Sequence, residues 1–116
     1  MEILDKEIKD MYERCKMPDW DCHEASPIDK ETVQMMRDVL QSLSSLNMMR
    51  ANISPHPDGD IGLEFIKNNN TFVLSINRNG KISCAGLYDG DTITHEETFD
   101  SKLSQIIIDG IKRVYA

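Results

Sequence analysis

The sequence has no run of apolar residues near the roughly 18–20 needed to span a bilayer, so no membrane-spanning helix is expected. Its first residues, Met1-Glu2-Ile3-Leu4-Asp5-Lys6-Glu7, lack the basic segment and continuous apolar stretch of a secretory signal, which points to the cytoplasm. Cysteine is scarce. Cys15, Cys22 and Cys84 form an odd set without a Cys-x-x-Cys pair, which suits free thiols in a reducing compartment. Basic residues are outnumbered, 13 against 20 acidic ones, for a net charge of −7. With no Lys/Arg cluster beyond Lys112-Arg113, the chain lacks the footprint that releases counterions from a phosphate backbone, and direct nucleic-acid binding is disfavoured. The same charge is compatible with a basic protein partner or with nucleic-acid mimicry; its plainer consequence is solubility.

Catalytic signatures are missing too. There is no phosphate loop, dinucleotide fingerprint or Gly-x-Ser-x-Gly elbow, so no cofactor is expected and no enzyme class is indicated. Metal ligands would have to come from Cys15, Cys22, His23 and His56, and no pair among them has the two-to-four-residue spacing of structural zinc. Asp58-Gly59-Asp60 is not followed by the Glu that a calcium loop requires, and turn chemistry explains it better.

What the chain does have is a central stretch, Pro57 to Phe99, of four runs rich in β-branched and aromatic residues. They are separated by Asn68-Asn69-Asn70, Asn79-Gly80 and Asp89-Gly90. Asn-Gly and Asp-Gly between such runs are hairpin signals, because the central residues of the tight turn need φ > 0. An antiparallel meander follows, with a short edge strand at 50–54 leading into Pro55-His56-Pro57. Two registers are open at Gly80. A three-residue Arg78-Asn79-Gly80 loop with a bulge sets Leu74 across from Cys84 and Ile76 across from Ile82. A two-residue turn sets Leu74 across from Ala85. The bulged loop is preferred because it places Ile82, Cys84 and Tyr88 with the apolar face. The opposite face, bearing Glu64, Val73, Ser75, Ser83, Thr94 and Glu96, is left for solvent.

Helices flank the meander. Leu4, Ile8, Met11, Tyr12 and Cys15 form one stripe from Ile3 to about Lys16, ended by Pro18. Asp29 reads as an N-cap, with Ile28 and Val33 as a hydrophobic staple, for a second helix to about Leu46. A third is expected from Asp100 or Ser101, capped by Asp100, with Leu103, Ile106, Ile107, Ile111 and Val114 inward and Ile108 to the side. The whole, residues 1–116, is one α+β domain: a four- to five-stranded antiparallel sheet over about 50–99, with two N-terminal helices and one C-terminal helix on one face.

Trp20-Asp21-x-x-x-Ala25-x-Pro27-Ile28 and Pro57-Asp58-Gly59-x-Ile61-x-Leu63-Glu64-Phe65 together resemble a family of small bacterial and mobile-element proteins. That family carries a Trp-Asp-Gly-x-Gly-Ala-x-Pro loop and a Pro-Asp-Gly-x-Ile-x-Leu-Glu-Trp strand. The resemblance covers roughly residues 19–111, leaves the first helix as a local addition, and brings no catalytic assignment. This chain departs from the motif at Cys22 and Glu24, where the loop has glycines, and at Phe65, where the strand has tryptophan.

Three functional expectations follow. The first is a non-enzymatic protein-binding module of inhibitor, antitoxin or immunity type, acting on a protein with a basic surface. It would work through Trp20, the first helix, or the acids Asp89, Asp91, Glu96, Glu97 and Asp100, which as one negative surface could also mimic nucleic acid. Trp20 itself reads either as a plug over the core or as a partner anchor. The second is a small thiol hydrolase. A two-residue Asp89-Gly90 turn makes facing residues sum to 179 and sets Cys84 across from His95, and such a nucleophile needs a depressed thiol pKa. The third is a self-assembling module pairing through the 50–54 edge or the first helix, so the chain is a monomer or a homodimer.

Overall fold

A computed structural model describes residues 2–44, 51–100 and 102–116, with side chains from Lys6 onward. Three helices and five strands follow one another as α1 (Glu2–Cys15), α2 (Lys30–Leu43), β1 (Asn52–Pro55), β2 (Ile61–Lys67), β3 (Asn70–Ile76), β4 (Lys81–Tyr88), β5 (Asp91–Thr98) and α3 (Gln105–Tyr115). The strands form one antiparallel meander in the order β1-β2-β3-β4-β5. The expected α+β architecture is present with five strands. No described helix is long and apolar enough to cross a membrane.

Alternation along the strands sorts the sheet into two faces. Ile61, Leu63 and Phe65 of β2 lie opposite Ile76, Leu74 and Phe72 of β3, and all six are buried. The bulged loop at Gly80 is the one adopted: Leu74 faces Cys84 and Ile76 faces Ile82. Gly80 has a φ of +85°, the left-handed conformation that a glycine bulge supplies without a Cβ clash. Ile8, Met11 and Cys15 of α1, Met36, Val39 and Leu43 of α2, and Ile107, Ile111 and Val114 of α3 join the same core.

Asp29 caps α2 as expected, its carboxylate accepting the Thr32 backbone N–H at 2.8 Å and the Thr32 hydroxyl at 2.7 Å. The staple residues Ile28 and Val33 are both buried. The helix ends at Leu43 with Ser44 as its cap; Leu46, Met48 and Met49 lie outside the described residues. The edge strand begins at Asn52, and residue 50 also lies outside them.

The third helix departs from expectation. It starts at Gln105, and its N-cap is Ser104, not Asp100. The Ser104 hydroxyl accepts the Ile107 N–H at 3.4 Å, and the Ser104 N–H donates to the Glu97 carboxylate at 3.1 Å. A carboxylate from β5 at the positive end of the helix dipole thus fixes the start four residues later than the nearest Asp suggests. The face packed on the sheet is that of Ile107, Gly110, Ile111 and Val114. Ile106 is 52% exposed, while Ile108 packs against the core and Gly110 is buried.

Gly110 lets α3 approach the sheet closely, since a Cβ there would sit 2.4 Å from Cε2 of the buried Phe72 ring. Alanine would gain about 1 kcal/mol in helix propensity, yet overpacking a filled core outweighs that, at about 1–3 kcal/mol. Gly110→Ala is expected to lower the unfolding free energy by a net ~1 kcal/mol, read as a fall in denaturant midpoint, and pairing it with Phe72→Leu should recover part of the loss. A rise in midpoint for the single variant would show that α3 is not held this close.

Candidate functional site

The acidic residues near the last hairpin fall into separate environments. Asp89 is exposed in the β4–β5 turn. Asp91 pairs with Arg113 at 2.8 Å, and that guanidinium also lies over the Tyr88 ring, 4.1 Å from its centroid. The Tyr88 hydroxyl in turn donates to the Gly110 carbonyl, so this corner ties the end of β4 to α3. Glu96 points to the other face, 3.7 Å from Lys81 and 3.4 Å from the Ser83 hydroxyl. Glu97 points back beneath the helices. Asp91 and Glu96 are five residues apart along an extended strand, about 17 Å, and therefore lie on different faces of the sheet. Asp100 is exposed beyond the end of β5.

Glu97 belongs to a polar cluster at the covered side of β4 and β5. Cys84 lies directly across from His95, as the turn arithmetic requires. His95 Nε2 is 2.8 Å from Glu97 Oε1, while the other Glu97 oxygen takes the α3 cap. Burial alone would push the Glu97 carboxyl up. Hydrogen bonds from the Ser104 hydroxyl and backbone and from His95 outweigh it, and the net effect is a lowering. Cys84 moves the other way: burial first, then the Glu97 carboxylate, push its thiol up, against a smaller lowering from the His95 backbone. A nucleophilic cysteine needs the reverse, an accessible thiol with depressed pKa. What the cluster accomplishes is structural, locking β5 to the start of α3.

The Trp20 loop is held by its own residues. The Trp20 indole N–H donates to the Ser26 carbonyl at 2.7 Å, and its ring, partly buried, packs against the core. Asp21 accepts the His23 and Ala25 N–H groups at 2.8 and 3.0 Å, and those bonds, His23 foremost, hold its carboxyl below the ordinary value. Asp19 accepts the Glu24 N–H at 2.7 Å. Asp19, Cys22 and Glu24 have φ values of 61°, 62° and 64°. Two of these, Cys22 and Glu24, are the positions where the resembling motif carries glycine, so the backbone adopts the glycine-favoured conformation without glycine. Cys22 and His23 are exposed, whereas Cys15 lies buried in the core. Among the described residues no group of three or more His, Cys, Asp or Glu is placed to hold a metal ion.

The feature that sequence reasoning left as merely wet is the uncovered face. Ile66 of β2 is 47% exposed and Leu87 of β4 is 53% exposed. They flank Thr71 in one cross-strand row that ends at Thr92, with the half-buried Val73 and Ala85 one row in. The signal was present in the alternation itself: the bulged register that turns Ile82 and Cys84 inward turns Ala85 and Leu87 outward. A cleft of about 500 Å³ also opens between α1 and β1, lined by Glu7, Asp10, Met11, Arg14 and residues 51–53. No protein-family model matches the chain, and none of the curated proteins or solved structures compared with it is similar.

Two predictions follow from this geometry. Because the folded Glu97 pKa is lowered, its contribution to stability is complete above the unfolded value of about 4.5 and is lost as pH falls through the lower folded value. Glu97→Gln should therefore be less stable than wild type at neutral pH, with the gap closing below about pH 4.5; a gap independent of pH would disprove the linkage. In the loop, Glu24→Gly relieves a left-handed residue at the expense of some unfolded-state freedom, and should raise stability by about 0.5–1 kcal/mol. An unchanged or lower melting temperature would argue against the left-handed turn.

Proposed function

We propose that this chain is a small non-enzymatic protein-binding module that occludes a partner, in the manner of an inhibitor, antitoxin or immunity protein, through the uncovered face of its sheet. One observation carries the reading. Three helices lie on one side of the sheet, no described helix or strand lies over the other, where the His56 ring covers only Gly62, and that side exposes Ile66 and Leu87 in a field of small and β-branched residues. Ile66 and Leu87 lie in the outermost row of that face, beside the half-buried Val73 and Ala85, and an exposed apolar patch bordered by polar residues is the anatomy of a protein-binding site.

The chain's net charge of −7 supports a partner with basic residues around its contact, since complementary charge steers encounter and suppresses wrong partners. The resemblance of the Trp20 loop to small bacterial and mobile-element proteins fits a role of this kind by analogy only. Nucleic-acid mimicry draws less support, because Asp91, Glu96 and Glu97 point to different faces and are each engaged by Arg113, Lys81 or His95. A thiol-enzyme reading draws none from a buried Cys84 whose thiol is pushed up.

The test is affinity capture from the native host with three tagged proteins: wild type, Ile66→Glu/Leu87→Glu, and Asp89→Asn/Asp100→Asn. One stoichiometric protein should be retained by wild type and by the acid-neutralised variant, and lost from the variant charged on the open face. Retention by Ile66→Glu/Leu87→Glu with loss from Asp89→Asn/Asp100→Asn would move the binding surface to the acids at the two ends of β5 and overturn the assignment.

A further inference from the structure

We infer that, when no partner is bound, the uncovered face is covered by a second copy of the chain, so that self-association and partner capture compete for one surface. The inference rests on the reading of that face as the binding surface.

The distribution of charge selects this occupant. Among the outward positions of the five strands only Glu64, Lys81 and Glu96 are charged, and Lys81 and Glu96 lie 3.7 Å apart as a pair. The acidity of the chain is therefore carried elsewhere. Two copies of a −7 chain repel at most surfaces, yet they can bring these two faces together without stacking carboxylate on carboxylate. The edge of β5 offers no such approach, because the exposed acids Asp89, Asp91 and Glu96 lie along that strand and its turn, and charged edges block strand-to-strand pairing.

Shape and area agree with charge. Ser75, Ser83 and Ala85 keep the centre of the face low, so that a second sheet could stack at the usual separation of about 10 Å. Five strands spaced ~4.8 Å apart, with most running seven or eight residues at ~3.3 Å each, present roughly 500 Å² in projection. A pair would bury on the order of 1,000 Å², the lower end of specific interfaces, which makes the dimer weak and reversible. The contact is isologous: each copy uses its single open face and presents helices outward, so assembly closes at two. A weak, closed dimer shields Ile66 and Leu87 from non-specific contact and yields to a partner that binds the face more tightly.

Sedimentation equilibrium of the full chain, from low micromolar to several hundred micromolar, tests this. The weight-average mass should rise from 13.3 kDa toward twice that value. Leu87→Glu and Ile66→Glu, at exposed positions that leave the melting temperature unchanged, should each weaken association by about tenfold or more, while Asp89→Asn should not. A mass of 13.3 kDa at every concentration overturns the inference, as does a dimer that survives both face variants. A wild-type monomer that still captures a partner through Ile66 and Leu87 would overturn self-association alone. A face-dependent dimer with no partner would leave self-association standing but remove the binding-module reading, and the competition with it.

Discussion

Burial of the apolar residues of β4 sets the register of the sheet's second half, and Gly80 permits it. The loop from Arg78 to Gly80 closes with Asn77 N–H donating to the Lys81 carbonyl at 2.9 Å and Gly80 N–H donating to the Asn77 carbonyl at 3.1 Å. The left-handed Gly80 takes up one extra residue, and from there every side chain of β4 and β5 falls into its place. With a two-residue turn instead, Ile82, Cys84 and Tyr88 would face water, and Ser83, Ala85 and Leu87 would face the helices. Burying Ile82 alone is worth roughly 1.5–3 kcal/mol, more than local preference between two hairpin turns supplies. The core therefore chooses the turn, and Gly80 permits the choice.

The same parity governs the charges. Glu96 and Glu97 are neighbours in sequence, yet one pairs with Lys81 on the open face and the other caps α3 from below. Asp91 shares Glu97's side of β5 and meets Arg113, which also covers Tyr88. A run of acids that looks like one feature is thus three local arrangements, two of which fasten α3 to the sheet. The carboxylates that hold the fold together are not free to read a partner, and this moves attention from the acidic edge to the face that carries little charge.

Much of the fold was legible because its signals are local. Asn-Gly and Asp-Gly marked the turns, Asp29 with Ile28 and Val33 marked the start of α2, and the apolar residues of β4 chose the bulge. The start of α3 was ambiguous because two residues, Asp100 and Ser104, carry the local N-cap pattern; what favours Ser104 is Glu97 accepting its backbone N–H across seven residues. Ile106 faces outward because the helix face seated on the sheet is centred on Ile107, Gly110, Ile111 and Val114, with Gly110 against Phe72, and a glycine at the centre of a buried stripe does not show as apolar in the sequence. The Cys84–His95 pairing could be derived from turn length alone. Its chemistry could not, since the thiol's burial and the proximity of Glu97 arise only once the helices are in place. The open face was named residue by residue, but Ile66 and Leu87 went unread because exposure is a property of what the helices leave uncovered.

The sorting of the two faces is the claim on which the rest depends. Methyl NMR of the dilute monomer with a soluble paramagnetic probe tests it most directly. The account predicts strong broadening of the Ile66 and Leu87 methyl signals, with Ile61, Leu63, Leu74, Ile76 and Ile82 protected. Protected Ile66 and Leu87, or a broadened Ile82, would mean that the sheet is assembled in the other register or covered on its second side.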